Sequence, residues 1–237
     1  MLNDKALNKR LFFVLWILCI IGYWSVLPYV RYLGVLPPDA QIMKIILFGT
    51  LQAALVFGLA CWLSYKLLPK TDLHPFVIKD IRKQVIYPGV LAGVLVGLII
   101  YGLDRTVFQN SLLSVVHPPI WTGALASLYG AINEEVLLRL FLFTLVYFLF
   151  RKLCKFNNQR RIYFLWITNI LVALVFGLGH LPALFGLTTP TSFDIFRVML
   201  LNGIPGVVFG YLFWTRGLWA AMAAHFVTDL MIHVFIV

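Results

Sequence analysis

Apolar residues recur along this chain in runs of about twenty, the length that crosses a bilayer as a helix, and short polar or proline-bearing stretches separate them. The runs predict helices over Leu11 to Tyr29, Lys44 to Leu67, Val85 to Leu103, Ile120 to Phe150, Ile162 to Gly179, Ile195 to Trp214 and Leu218 to Val237. The fourth is too long for one straight crossing, and Gly130 near its middle predicts a bend or an access loop, so seven spans or eight helical pieces are equal expectations. No repeat of 20 to 50 residues, low-complexity tract or Gly/Ser/Pro linker divides the chain. The pattern is that of an all-α polytopic membrane bundle of seven to eight transmembrane helices, with residues 1–237 forming a single integral-membrane domain.

Composition agrees. Of 237 residues, 62% are hydrophobic and only 12% charged, more apolar surface than one soluble core of this size hides. The net charge of +10 changes the picture less than its distribution does. Basic residues cluster in the N-terminal tail (Lys5, Lys9, Arg10), in the loop holding Lys66, Lys70, Lys79, Arg82 and Lys83, and after Phe150 at Arg151, Lys152, Lys155, Arg160 and Arg161. The alternating segments hold Arg31 against Asp39, Arg105 against Asp104, and no basic residue between Leu181 and Asp194. This asymmetry orients the chain with a cytoplasmic N-terminus in the cell (cytoplasmic) membrane, and makes the lipid bilayer, not nucleic acid, the partner of the positive charge. The first run lacks a small-residue cleavage signature and reads as an uncleaved membrane helix. Cys19, Cys61 and Cys154 have neither metal-ligand nor disulfide-framework spacing.

Candidate chemistry lies in the second half. The only two glutamates, Glu134 and Glu135, are adjacent within the fourth run, where insertion scales charge about 2.5–3.5 kcal/mol for an acidic residue at mid-membrane. Arg139, four residues after Glu135, shares its helical face and can pair with it; Glu134 points about 100° away. Two further polar islands are His180, expected at the end of the fifth span, and His225 with Asp229, again four apart. Two histidines and a surplus carboxylate on converging helices suit either a water-activating acid/base set or ligands of a divalent metal such as zinc. Each residue also has a plainer reading: Glu135 with Arg139 as a structural ion pair, His180 as a helix cap, Asp229 as a group orienting His225. His233 is a secondary candidate eight residues after His225. His74 and His117, each before a proline, read as loop residues, and Ser192 or Asp194 as the N-cap of the sixth helix. No Gly-x-Ser-x-Gly, His-Glu-x-x-His or Gly-x-x-x-x-Gly-Lys motif occurs, which removes serine-elbow hydrolases, zincins and P-loop enzymes.

In this order the motifs resemble the CAAX protease and bacteriocin-processing (CPBP, or Abi) family of intramembrane proteases. Glu134-Glu135-Val-Leu-Leu-Arg139 is similar to its Glu-Glu-x-x-x-Arg motif, Phe176-Gly-Leu-Gly-His180 to its Phe-x-x-x-His motif, and His225-Phe-Val-Thr-Asp229 to its His-x-x-x-Asn/Asp motif. The likeness covers about residues 120–230, the expected protease core. Leu140 stands where many members carry glycine, and Asp229 where the prenyl-endopeptidase branch has asparagine. The resemblance implies that Glu134 and His180 activate a water that attacks a peptide carbonyl, that His225 and Asp229 stabilise the oxyanion or orient its donor, and that Glu135 and Arg139 give structural support. It leaves the metal open.

The expected function is therefore an intramembrane endopeptidase acting on a peptide or membrane-anchored protein substrate. The rival readings are a catalytically silent member that regulates a membrane-bound partner, and an ion-coupled transporter, which the lack of repeat symmetry disfavours.

Overall fold

A computed structural model describes residues 7–36, 41–76, 80–111 and 118–235; Lys5, Asp39, Lys79, His117 and the last two residues of the expected final span lie outside them. Among the described residues the regular elements are all helical: α1 (Lys9–Tyr32), α2 (Ile42–Leu67), α3 (Tyr87–Thr106), α4 (Ile120–Tyr129), α5 (Thr144–Cys154), α6 (Arg161–Leu187), α7 (Ser192–Arg216) and α8 (Leu218–Leu230). Six helices, Lys9–Tyr32, Ile42–Lys70, Arg82–Thr106, Asn158–Leu187, Ser192–Arg216 and Leu218–Phe235, are long and apolar enough to cross a membrane. The seventh rod is α4 and α5, joined through the wide π turns Gly130–Glu134 and Val136–Phe143.

Gly130 neither bends the rod into a loop nor divides it: its φ of −54° and ψ of −53° are helical. At the α-helical rise, residues 120–154 would be roughly 50 Å long, more than a hydrocarbon core needs. The wide turns shorten the rod, and Arg151 and Lys152 mark where it leaves the apolar layer. A π turn also follows α8, at Met231–Phe235.

Two expected boundaries move. The fifth span does not stop at Gly179; α6 runs through Pro182 to Leu187, and extended backbone at Thr188 ends it. A proline lacks only the one N–H that would reach back a turn, and membrane helices tolerate that loss where neighbours compensate. His180 is thus seven residues inside its helix. The N-cap of α7 is Thr191 instead of Ser192 or Asp194: its hydroxyl accepts from the Asp194 N–H while Asp194 accepts from the Thr191 N–H, a reciprocal capping box.

Small residues set how the rods meet, as expected where no hydrophobic force drives helices together in lipid. Gly89, Gly93 and Gly97 line one face of α3, and side chains there would strike Ala223, Val227 and Met231 of the last helix. The Thr228 hydroxyl donates to the Gly93 carbonyl across this seam at 3.2 Å. Aromatic tips tie α1 to α2: Trp16 donates to the Ala54 carbonyl and Tyr23 to that of Ile45. Asn133 donates to the Cys19 carbonyl at 2.8 Å, so α1 also grips the rod beside its two glutamates.

Polar clasps close the two ends. At the basic end Asp72 takes Arg151, Arg161 and the Tyr147 hydroxyl, and the Leu218 N–H donates to the Pro75 carbonyl. At the other end Arg197 pairs with Asp104 at 2.7 Å and Ser111 donates to Asp194.

Candidate active site

Glu135 and Arg139 stand one helical step apart on the α4–α5 rod, both fully buried, with Arg139 Nη1 2.9 Å from Glu135 Oε1. The guanidinium continues beyond that pair. Its Nη2 donates to the Gly206 carbonyl of α7 at 3.1 Å, and its Cζ lies 5.1 Å from the Phe176 ring centroid and 5.6 Å from that of Phe209. One side chain therefore joins the rod to α6 and α7 by an ion pair, a hydrogen bond and two cation–π contacts.

Glu135 has a second task that its spacing from Arg139 could not announce. The same Oε1 lies 2.7 Å from His225 Nδ1, and because a carboxylate only accepts, Nδ1 is the donor. The Phe209 ring stacks on the imidazole at 4.7 Å and 28°, so ring plane and tautomer are both fixed. The other nitrogen, Nε2, faces Glu134 Oε2 and Asp229 Oδ2, each at 3.6 Å. Three carboxylates from two helices thus surround one imidazole. Glu135 is sealed off, whereas the side chains of Glu134 and Asp229 keep 22% and 15% exposure, so the open side of the cluster is the Glu134–Asp229 side.

This close meeting depends on Gly130, one turn before Glu134. A Cβ there would come within 2.9 Å of His225 Nε2 and would overlap Asp229 Oδ2. Backbone without a side chain lets the polar face of α8 rest against the rod.

His180 stands slightly apart. Its Nδ1 lies 2.8 Å from the Phe176 carbonyl, and since a carbonyl only accepts, Nδ1 carries the proton and Nε2 presents a lone pair. Its ring meets the Phe176 ring edge-on at 4.8 Å, and the His225 ring meets that phenyl at 5.7 Å. Both imidazoles therefore flank one aromatic spacer. Among the described residues no hydrogen bond or ion pair joins His180 to Glu134. His233 lies one helical step beyond Asp229 and pairs with Tyr29, away from the glutamates.

Sequence reasoning named Glu134, Glu135, Arg139, His180, His225 and Asp229, with Gly206 among the glycines that permit close helix contacts around a buried site; it missed Phe209, and it read Gly130 as a bend or an access loop instead of as the close approach to His225 and Asp229. The signal for these two roles was weak, since Phe209 and Gly130 sit in apolar runs where phenylalanine and glycine are common. Nδ1 of His225 is committed to Glu135 and that of His180 to a carbonyl, which leaves both Nε2 atoms free, the arrangement in which histidines either direct a water or hold a metal; among the described residues no group of three or more His, Cys, Asp or Glu side chains is gathered closely enough to hold an ion.

Residues 116–231 match the family described as type II CAAX prenyl endopeptidase Rce1-like. No curated protein and no solved structure matches the chain.

Proposed function

We propose, for a chain whose residues 116–231 belong to the Rce1-like family of type II CAAX prenyl endopeptidases, that it is an intramembrane endopeptidase in which Glu134 and His180 activate water and His225 with Asp229 receives the charge that develops on the carbonyl oxygen. The observation that carries this reading is the His225 imidazole held at Nδ1 by Glu135 while Nε2 faces Glu134 and Asp229.

Glu134, the more exposed of the two glutamates, is the base that takes a proton from water; His180 Nε2 accepts a hydrogen bond from the same water and directs it. The water adds to the scissile carbonyl; His225, protonated on both nitrogens among its three carboxylates, donates Nε2–H to the resulting oxyanion, and Asp229 orients that donor. Collapse breaks the C–N bond, and the proton held by Glu134 passes to the departing amine. Atoms balance without another reactant. Glu135 acts through His225, fixing its donor at Nδ1, and Arg139 acts through Glu135. These steps are written through side chains alone.

The test is turnover of a proteome-derived peptide library and of a prenylated Cys-aliphatic-aliphatic-X peptide by full-length protein in proteoliposomes, with products read by mass spectrometry. We expect cleavage by the wild type and losses of at least about 100-fold, the scale of general acid–base catalysis, in Glu134→Gln, His180→Ala and His225→Ala. Prolonged treatment with a chelator leaves the wild-type rate within about twofold, since the groups that polarise water are side chains. Undiminished cleavage in all three variants rejects the assignment; a rate abolished by the chelator and restored by zinc rejects its metal-free form.

A further inference from the structure

One intramembrane polar pair takes no part in this chemistry. Tyr29 Oη in α1 and His233 Nδ1 beyond α8 lie 3.2 Å apart, with ring centroids 5.2 Å apart and planes at 63°. Tyr29 precedes the matched segment 116–231 and His233 follows it, so the pair is a feature of this chain beyond the matched part.

Its place along α8 relates it to the site. His225, Asp229 and His233 are spaced by four. The α turn is slightly shorter and the π turn at 231–235 slightly longer than four residues, so His233 stays on the face that carries the other two. Cα–Cβ bonds on a helix tilt towards its N-terminus, here towards Asp229. Gly123 admits the pair to the rod, because a Cβ on it would come within 2.7 Å of the His233 carbonyl and 2.8 Å of its Cβ. Both side chains are half-buried, and the face leads from the glutamates towards the end of the bundle opposite the basic clusters.

We infer that Tyr29 and His233 form the subsite for the free C-terminal carboxylate of the substrate. The inference rests on the endopeptidase reading above. Eight residues of helix separate His225 from His233 by about 12 Å, and three extended residues, the length released from a Cys-aliphatic-aliphatic-X terminus, span about 10 Å. A scissile carbonyl at His225 therefore puts the terminal carboxylate beside His233. With the Tyr29 hydroxyl donating to Nδ1, Nε2–H of His233 is the free donor that an anion placed one turn beyond Asp229 would accept from. A carboxylate near the end of the bundle also keeps partial contact with water, which one at mid-membrane would lose.

The experiment compares two internally quenched, prenylated peptides, identical except that one ends in a carboxylate and the other in a carboxamide. They are assayed with full-length wild type, Tyr29→Phe and His233→Ala in proteoliposomes. The wild type is expected to favour the acid by at least tenfold in kcat/KM, through KM, and each variant to bring the acid-to-amide ratio to within about twofold of one. A structural clamp between α1 and α8 would depress both peptides together and leave the ratio as in the wild type, which overturns the subsite. Equal turnover of both peptides by the wild type overturns it as well, with the endopeptidase reading intact. A wild type that cleaves neither removes that reading, and the subsite falls with it.

Discussion

A methyl group on Gly130 tests the site more sharply than removal of an acid. The atoms it would meet are the far ends of side chains, His225 Nε2 at 2.9 Å and the Asp229 carboxylate, which can swing aside without moving a helix. Alanine is also the better helix former by about 0.8–1.0 kcal/mol. Gly130→Ala should therefore melt no lower than the wild type, yet displacing His225 and Asp229 from Glu134 should lower kcat by about 100-fold, the cost of a misplacement near 1 Å. Gly123→Ala is the contrasting case on the same rod, because its methyl meets main chain at the His233 carbonyl; overpacking of about 1–3 kcal/mol should lower its melting temperature. Wild-type kcat in Gly130→Ala, measured beside its melting curve, would show that the approach of α8 to Gly130 is not needed for chemistry. At this scale the sequence disclosed the Glu135–Arg139 pair, because four-residue spacing within one helix fixes neighbours. It could not disclose that Glu135 also holds His225, since that depends on how two helices are rotated about their axes.

Elements are held in register at the basic end by a single carboxylate. Asp72 follows α2 and gathers Arg151 and the Tyr147 hydroxyl from α5 and Arg161 from α6. Burial works to raise its pKa, but the hydrogen bonds from Arg161 and Tyr147 and the nearby charges of Arg161 and Arg151 outweigh it, so the carboxyl is held below its usual range. A group depressed in the folded state contributes stability that is fully present above its unfolded pKa of about 3.9 and is lost as pH falls through the lower folded value. In detergent micelles, Asp72→Asn should melt below the wild type at pH 7, with the gap unchanged down to about pH 4 and closing under more acid conditions. A gap that closed between pH 7 and 5 would mean that a histidine, not Asp72, governs it. The spans were legible because an apolar run of bilayer length leaves few alternatives. The end of α6 was not, because Pro182 and the glycines before it are local helix-breaking signals that lipid and neighbouring helices override. The wide turns around Glu134 and Glu135 left no mark, since α and π turns accept the same residues.

On the scale of the whole molecule, connectivity and charge define two ends. The clasp at Asp72, the Arg216–Gln84 hydrogen bond at 2.7 Å and the Leu218–Pro75 contact join segments that the basic clusters flank, while Arg197–Asp104 and the Thr191–Asp194 capping box stand at the other end. Seven rods from α1 to the last helix require the chain to alternate between these ends, which agrees with the alternation of loop charge in the sequence. If positive loops face the cytoplasm, the exposed Lys152 is inside and the exposed Thr189 outside. A chain with Cys19, Cys61 and Cys154 replaced should then react with an impermeant maleimide in intact cells when Thr189→Cys is introduced, and only after permeabilisation with Lys152→Cys. The reverse labelling would invert the molecule in its membrane. The result bears on chemistry because the site is placed unevenly between the ends: His180 is seven residues from the end of α6 on the Thr189 side, and the face of α8 that bears Asp229 and His233 leads the same way. Towards the basic end, the large side chains of Val136, Leu138, Arg139, Leu140, Phe143 and Tyr147 fill the interior below the glutamates, whereas the smaller Thr122, Ala126 and Ser127 lie on the other side; under the proposed peptidase reading, a substrate terminus would enter from the side on which Thr189 is labelled.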